Sequence, residues 1–275
     1  MFSLLAFQAL IVPLLLSFVL YFFSQKNEFI HRKKTPISIL LWIGVYTWIV
    51  NFPNFPPRLI LDWLGIVILL LAISYFFLRL QLFWAQCYLF LISLGFVVIS
   101  TWSVISYDAT LTSHWLIWLE ICCFFIIFNF VVHRHLIISS SHQNISYFNV
   151  AFIFCALGGI TIINGSLVLG ILMLAYGFLL GSHALRELFC QDSHKYDVNA
   201  SLHLIIFFYF SLMSRIYADV PFFIITILCF AFTYSVFKFP SNTAQKYVAS
   251  FIGILLLVGS AWYEYISQMN THSYY

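Results

Sequence analysis

The sequence predicts an all-α fold, a polytopic helix bundle that spans a membrane with about ten transmembrane helices. The first indication is composition: 63% of the residues are hydrophobic and only 8% are charged, whereas about a quarter are charged in a soluble globular domain. The second is that the apolar residues form runs of the length that crosses a bilayer, about 20 residues. The third is the placement of the positive charges, which follows the rule for membrane orientation.

Ten apolar runs, each separated from the next by charged residues, Pro or Asn, define the predicted helices. They span 3–24, 37–52, 59–79, 82–106, 115–132, 147–163, 165–183, 199–213, 220–238 and 247–265. The second and eighth runs are short and the turn at 79–81 is tight, so eight or nine helices is the alternative count. The loops are too short for a soluble domain, and residues 1–275 are therefore predicted to form a single transmembrane domain.

Threading ten helices through a bilayer tests this count. All of the twelve Lys and Arg residues except Arg58 and Arg215 then lie on one side. Because Lys and Arg concentrate in cytoplasmic loops, that side is predicted to be the cytoplasm, with both termini outside. The N-terminal run has no cleavable signal pattern and no transit signature stands out, so we expect the inner (plasma) membrane of a bacterium.

Ten helices also divide into two halves of five, 1–132 and 147–265, which would repeat with inverted topology. Pro13 lies within the first helix of one half, and Gly158-Gly159 lie within the first helix of the other. Interrupted helices at matching positions mark the substrate site of many transporters. The alternative is that Pro and Gly are common in membrane helices because neighbouring helices satisfy the freed backbone groups.

The helix predicted at 165–183 carries several small residues. Gly170, Gly177 and Gly181 share one helical face, and Gly177 with Gly181 forms a GxxxG step. Such steps allow two backbones to approach closely where lipid provides no hydrophobic drive. We therefore expect a central packing helix that leads into the main polar loop.

Charged groups in or near apolar helices are the sharpest functional signal, because each is costly unless paired, hydrated or protonated. Glu120, within the fifth predicted helix, is the clearest case. It would surround an outward-facing polar vestibule together with other charged residues near the outer ends of helices: Asp62, Arg58, Glu264, and Arg215 and Asp219 in the loop between helices eight and nine. The hypothesis is a proton- or cation-coupled binding site in which Glu120 titrates and Arg58 or Arg215 holds an anionic part of the substrate.

The alternative for part of this group is structural. Asp62 lies four residues after Arg58 near a helix start, where a local ion pair and the helix dipole favour a carboxylate. Asp219 and Glu264 would then be ordinary interfacial residues.

A second polar group is predicted on the cytoplasmic side. Its members His183, Cys190, His194 and His203 are donor types that suit zinc or copper. Their spacing matches no compact ligand motif, and interfacial histidines in a basic loop explain most of it. No cofactor is therefore predicted, and a metal or haem site is kept only as an alternative.

Three functions fit this sequence. The first is a small secondary transporter or permease of unknown substrate. The second is a non-catalytic membrane subunit or assembly factor whose Phe-rich surface contacts partner subunits in the lipid bilayer. The third is a His/Cys-dependent metal or redox enzyme, although the sequence holds no GxSxG, P-loop or GxGxxG motif. None of the three implies a nucleic-acid partner, since the positive charge lies in membrane loops.

Overall fold

A computed structural model describes residues 11–19, 22–23, 34–50, 60–77, 90–99, 119–123, 125–127, 147–189, 200–236 and 248–272. These ranges are helical apart from short turns, and they contain no β-strand. Each of the ten predicted apolar runs contains helix, so the predicted all-α fold is confirmed. Among the described residues, no helix combines the length and the apolar character that crossing a membrane requires.

The helices are numbered α1 to α10 in chain order. Three have only a described part: 11–19 for α1, 90–99 for α4, and 119–123 with 125–127 for α5. The others are α2 (Lys34–Val50), α3 (Ile60–Phe77), α6 (Tyr147–Ile163), α7 (Leu167–Phe189), α8 (Ala200–Tyr217), α9 (Phe222–Val236) and α10 (Val248–His272).

Three helices end past the apolar runs that predicted them, and α10 extends furthest, to His272. The sequence predicted that Arg186 and Glu187 lie in a polar loop. Helix α7 continues to Phe189, so both residues are helical. Helix α8 continues to Tyr217, which places Arg215 in its last turn and corrects its predicted loop position. The physical reason in α7 is that Ala, Leu, Arg and Glu are all strong helix formers, so the helix outlasts the apolar run.

The turn between α6 and α7 is fixed by backbone hydrogen bonds. The amide of Gly165 donates to the carbonyl of Ile162, and the amide of Ser166 donates to the carbonyl of Thr161, both at 3.0 Å. This is the Schellman arrangement, which needs a left-handed residue just after the helix. Gly165 provides it with a φ of 100°. The two helices therefore form a tight antiparallel pair.

Glycines bring the backbones of α6 and α7 together. A Cβ on Gly170 would lie 2.6 Å from the carbonyl oxygen of Gly158, and a Cβ on Gly177 would lie 2.8 Å from that of Ala151. Gly181 differs from these two, because no described atom lies within 4 Å of its Cβ position. The close approach thus follows the seven-residue step from Gly170 to Gly177 and not the predicted GxxxG step.

The pair Gly158-Gly159 does not interrupt α6, which is continuous from Tyr147 to Ile163. Gly158 faces α7, and Gly159 faces Leu257 of α10. The predicted break in this helix is therefore wrong: both glycines provide room for neighbours. The predicted inverted repeat therefore loses one of its two supporting observations.

The most enclosed helix is α8, and not α7 as the small residues suggested. Every side chain from Leu202 to Ser214 is buried. The start of α8 contacts the start of α6 through His203 and Tyr147, and its end contacts the end of α6 through Ser214 and Thr161. Helices α6 and α8 therefore run in the same direction, with polar contacts at both ends of the core.

Candidate functional site: the Glu120–Arg215 ion pair

The structure joins two of the predicted site residues directly. Glu120 of α5 accepts hydrogen bonds at Oε2 from Arg215 of α8, with distances of 2.9 Å to Nε and 2.8 Å to Nη2. These lengths are typical of charge-assisted hydrogen bonds. The side chains are 28% exposed for Glu120 and 20% exposed for Arg215, so the pair is partly buried and still within reach of the surroundings.

The helices that carry the pair also contact each other and α4 through aromatic rings. Phe125 of α5 lies 5.7 Å from Phe90 of α4 and 6.4 Å from Phe208 of α8, measured between ring centroids. Partly buried charges such as Glu120 and Arg215 interact more strongly than in water, and each is costly if left alone. Arg215 gains further stabilisation from its place in the last turn of α8, where the helix dipole favours a cation.

A pair of hydroxyls lies one residue from Arg215. The Oγ1 of Thr161 and the Oγ of Ser214 are 2.8 Å apart. Each hydroxyl also lies within hydrogen-bond distance of a carbonyl of its own helix, that of Leu157 for Thr161 and that of Phe210 for Ser214. Because each hydroxyl has one proton, one of the two donates to the other and the second donates to its carbonyl. Both residues are fully buried, so this contact ties the ends of α6 and α8 together.

Asp219 lies in the turn that follows α8. It is exposed and adopts a left-handed φ of 50°, a conformation that Asp tolerates better than most residues. This conformation lets the amide of Val220 return to the carbonyl of Ser214, which also accepts the amide of Ala218. Asp219 thus shapes the turn, and its carboxylate faces solvent near the end of α8.

Asp62 lies in a different environment. It is in the first turn of α3 and is only 3% exposed, so it does not line an open vestibule as the sequence suggested. Its carboxylate lies near enough to the Tyr46 hydroxyl of α2 to act on it electrostatically. That hydroxyl donates to the backbone carbonyl of Leu61. Asp62 therefore belongs to the contact between α2 and α3. Gly65, one turn after Asp62, allows Tyr46 to approach α3 closely.

The remaining vestibule candidates cannot be placed with these. Arg58 and the side chain of Glu264 lie outside the described residues. Of the six predicted site residues, the structure brings together Glu120 and Arg215, with Asp219 on the turn four residues beyond Arg215.

A second polar contact lies at the opposite end of α8. His203, 1% exposed, has its Nδ1 2.8 Å from the hydroxyl of Tyr176 on α7. The ring of Tyr147 lies edge-on at a centroid distance of 6.1 Å. The Nε2 of His203 has no hydrogen-bond partner among the described residues. The imidazole is therefore anchored through one nitrogen by a tyrosine.

His203 was also predicted as a metal-ligand candidate. The described residues contain no group of three or more His, Cys, Asp and Glu that could hold a metal ion. The side chain of His183, and Cys190 and His194, lie outside the described residues.

Aromatic rings separate the two polar ends of α8. Trp42 of α2 packs edge-on against Tyr176 and Phe210, and its Nε1 donates to the carbonyl of Leu172 at 3.0 Å. Phe154 of α6 contacts the same two rings from another side, Tyr176 at 4.7 Å and Phe210 at 6.2 Å. This layer, which we call the aromatic layer (Trp42, Phe154, Tyr176 and Phe210), is apolar and closely packed.

Sequence reasoning missed the hydrogen-bond partners of the buried polar residues. Tyr176 is 27 residues from His203, and Thr161 is 53 residues from Ser214. No local spacing links such residues. The available signal was weak: a hydroxyl in a Phe-rich helix needs a hydrogen-bond partner when buried.

Comparison of the chain with protein-family models, curated proteins and solved structures finds no match.

Proposed function

We propose that this protein is a multi-pass protein of a bacterial inner membrane that acts as a small secondary permease for an anionic substrate. Its substrate site is the Glu120–Arg215 ion pair, with Glu120 as the titrating group and Arg215 as the anion-binding group. The single observation that carries the proposal is this partly exposed ion pair between two helices of an apolar bundle. An ionisable group in a membrane-spanning helix is costly, and the default hypothesis for it is a functional site.

The surface of the bundle supports a lipid environment. Large apolar side chains are exposed on several helices, among them Ile126 (67%), Phe230 (69%) and Phe251 (60%). With 8% charged residues, the chain has little polar surface to offer to water. Extended apolar surface of this kind marks contact with lipid or with other proteins.

The placement of the ion pair supports the proposed direction of access. Glu120 is near the start of the fifth predicted helix and Arg215 is at the end of α8. Under the threading in which Lys and Arg loops are cytoplasmic, both positions face the outside. Once Glu120 is protonated, its neutral carboxyl binds the guanidinium of Arg215 less strongly. An anion that arrives from outside can then bind Arg215.

The proposal is tested by anion uptake into vesicles that contain the purified protein. We expect uptake of at least one anion from a panel of pyruvate, lactate, phosphate and sulfate. Arg215→Gln should reduce the rate at least tenfold, because it removes the charge that binds the anion. Cys122→Ser is the matched control: this thiol is exposed on α5 two residues from Glu120, and its replacement should leave uptake unchanged. Wild-type protein that transports none of the panel contradicts the proposal.

A second candidate function is favoured by one feature of α10. This helix exposes an apolar stripe at helical spacing, formed by Phe251, Leu255, Val258, Trp262 and Ile266. Gly259 within it has no described atom within 4 Å of its Cβ position. Small residues on an apolar face allow another membrane helix to approach. If the chain is a non-catalytic membrane subunit, a partner should co-purify stoichiometrically, and Gly259→Leu should release it.

A further inference from the structure

We infer that the anion taken by Arg215 is a monocarboxylate, which replaces Glu120 and crosses together with one proton, so that each cycle moves no net charge. This inference rests on the proposed function and names its substrate class and coupling ion.

The identity of the group already bound to Arg215 favours a carboxylate. The guanidinium holds Glu120, and both hydrogen bonds converge on one oxygen, Oε2. An unattached carboxylate can instead place its two oxygens on two N–H groups in parallel, which is the stronger fork-to-fork geometry. A substrate carboxylate therefore competes with Glu120 on favourable terms once Glu120 loses its charge.

The partial burial of the pair determines the stoichiometry. The side chains of Glu120 and Arg215 are 28% and 20% exposed, and the guanidinium makes two hydrogen bonds to Oε2 of Glu120. Leaving a partly buried cation unpaired is costly. Two states avoid that cost: ionised Glu120 on Arg215, or protonated Glu120 with one substrate carboxylate on Arg215. Each has zero net charge, so one proton accompanies one carboxylate.

The exchange involves only proton transfer and hydrogen bonds. A proton from water forms an O–H bond on the Glu120 carboxylate, and the two N–H···Oε2 bonds to Arg215 break. The substrate carboxylate then accepts those N–H groups. On release the substrate leaves, the Glu120 proton returns to water, and the ion pair forms again.

The experiment uses full-length protein in vesicles of phosphatidylethanolamine and phosphatidylglycerol that contain a pH-sensitive dye. Radiolabelled pyruvate and lactate are the probes, with protein-free vesicles as the baseline. Wild-type uptake should acidify the lumen by one proton per carboxylate, and an imposed potassium diffusion potential should leave accumulation unchanged. A carrier of one net charge would instead change accumulation about 50-fold at ~100 mV, since that potential is worth ~2.3 kcal/mol per charge.

The Glu120→Gln variant distinguishes coupling from a structural role. It should still bind and exchange pyruvate, but uptake should no longer acidify the lumen and should respond to the potential, because one uncompensated charge now moves. Glu120→Asp should retain proton coupling, and Cys122→Ser should behave like wild type. A variant that merely destabilised the fold would lose all of these activities together.

Each remaining outcome has a separate meaning. Wild-type uptake of pyruvate that depends on potential overturns electroneutral coupling and leaves the permease standing. Uptake of phosphate or sulfate without either carboxylate overturns the substrate class alone. Uptake of no anion overturns both this inference and the proposed function.

Discussion

At the scale of single residues, the buried imidazole of His203 shows what one hydrogen bond contributes to this core. Its Nδ1 contacts the Tyr176 hydroxyl, and its Nε2 has no partner among the described residues. A buried polar group that loses its last partner carries the full cost of desolvation. The contact with Tyr176 is therefore what makes a histidine tolerable at this position.

We expect Tyr176→Phe to destabilise the protein by about 1–3 kcal/mol, because it leaves both imidazole nitrogens of His203 unsatisfied. The double variant Tyr176→Phe with His203→Leu should recover much of that loss, since both polar partners are then removed. Thermal unfolding in detergent measures the effect. Tyr263→Phe is the control, as this side chain is 75% exposed. Additive losses in the double variant would show that the two residues do not depend on each other.

The charged residues were visible in the sequence, but their pairing was not. Glu120 and Arg215 stand out because few ionisable side chains occur in apolar runs. They are 95 residues apart, and no spacing rule connects them. Arg58 was an equal candidate for the same role on sequence grounds. Which cation pairs with Glu120 depends on how α5 and α8 pack, and packing is a tertiary property.

At the scale of helices, the hairpin of α6 and α7 depends on glycine at its contact. A Cβ at Gly170 would lie 2.4 Å from Cγ1 of Ile162 and 2.6 Å from a backbone oxygen. The backbone cannot yield as a flexible side chain does. Substitution there forces the two helices apart.

We expect Gly170→Ala and Gly177→Ala each to cost about 1–3 kcal/mol through overpacking. Gly181→Ala, on the same helix, should be neutral or stabilising by up to about 1 kcal/mol, because Ala is the better helix former and no described atom lies within 4 Å of the new Cβ. Denaturant or thermal unfolding of the three variants makes the comparison. Destabilisation by Gly181→Ala equal to that of the other two would contradict this description of the contact.

Helix existence could be predicted from the sequence, whereas helix ends and roles could not. The apolar runs located all ten helices because hydrophobic runs of this length are strong signals. They ended α7, α8 and α10 too early, since a helix continues through Arg, Glu and Gln as readily as through Leu. Gly158-Gly159 suggested a break in α6, but the two glycines instead make room for the neighbouring helices α7 and α10.

At the scale of the whole molecule, the directions of the helices determine which polar residues lie at the same end of the core. Helices α6 and α8 run in parallel, so their starts meet at His203 and their ends meet at Ser214. The aromatic layer lies between these ends. The core thus separates one polar end from the other, and the proposed permease would need such a separation to open to one side at a time.

This arrangement leads to a prediction about orientation that the proposed permease requires. In a variant lacking the six native cysteines, Asp219→Cys should react with a membrane-impermeant maleimide added to intact cells. Position 219 is exposed in the turn between α8 and α9, and the predicted threading places that turn outside. A variant that retains only Cys190 should react only after the membrane is permeabilised, since the predicted threading places Arg186 and Lys195, which flank Cys190, in the cytoplasm. The reverse labelling pattern would place the Glu120–Arg215 pair toward the cytoplasm. Uptake from outside would then begin at the His203 end of α8, and the order of binding and protonation at Arg215 would have to be reversed.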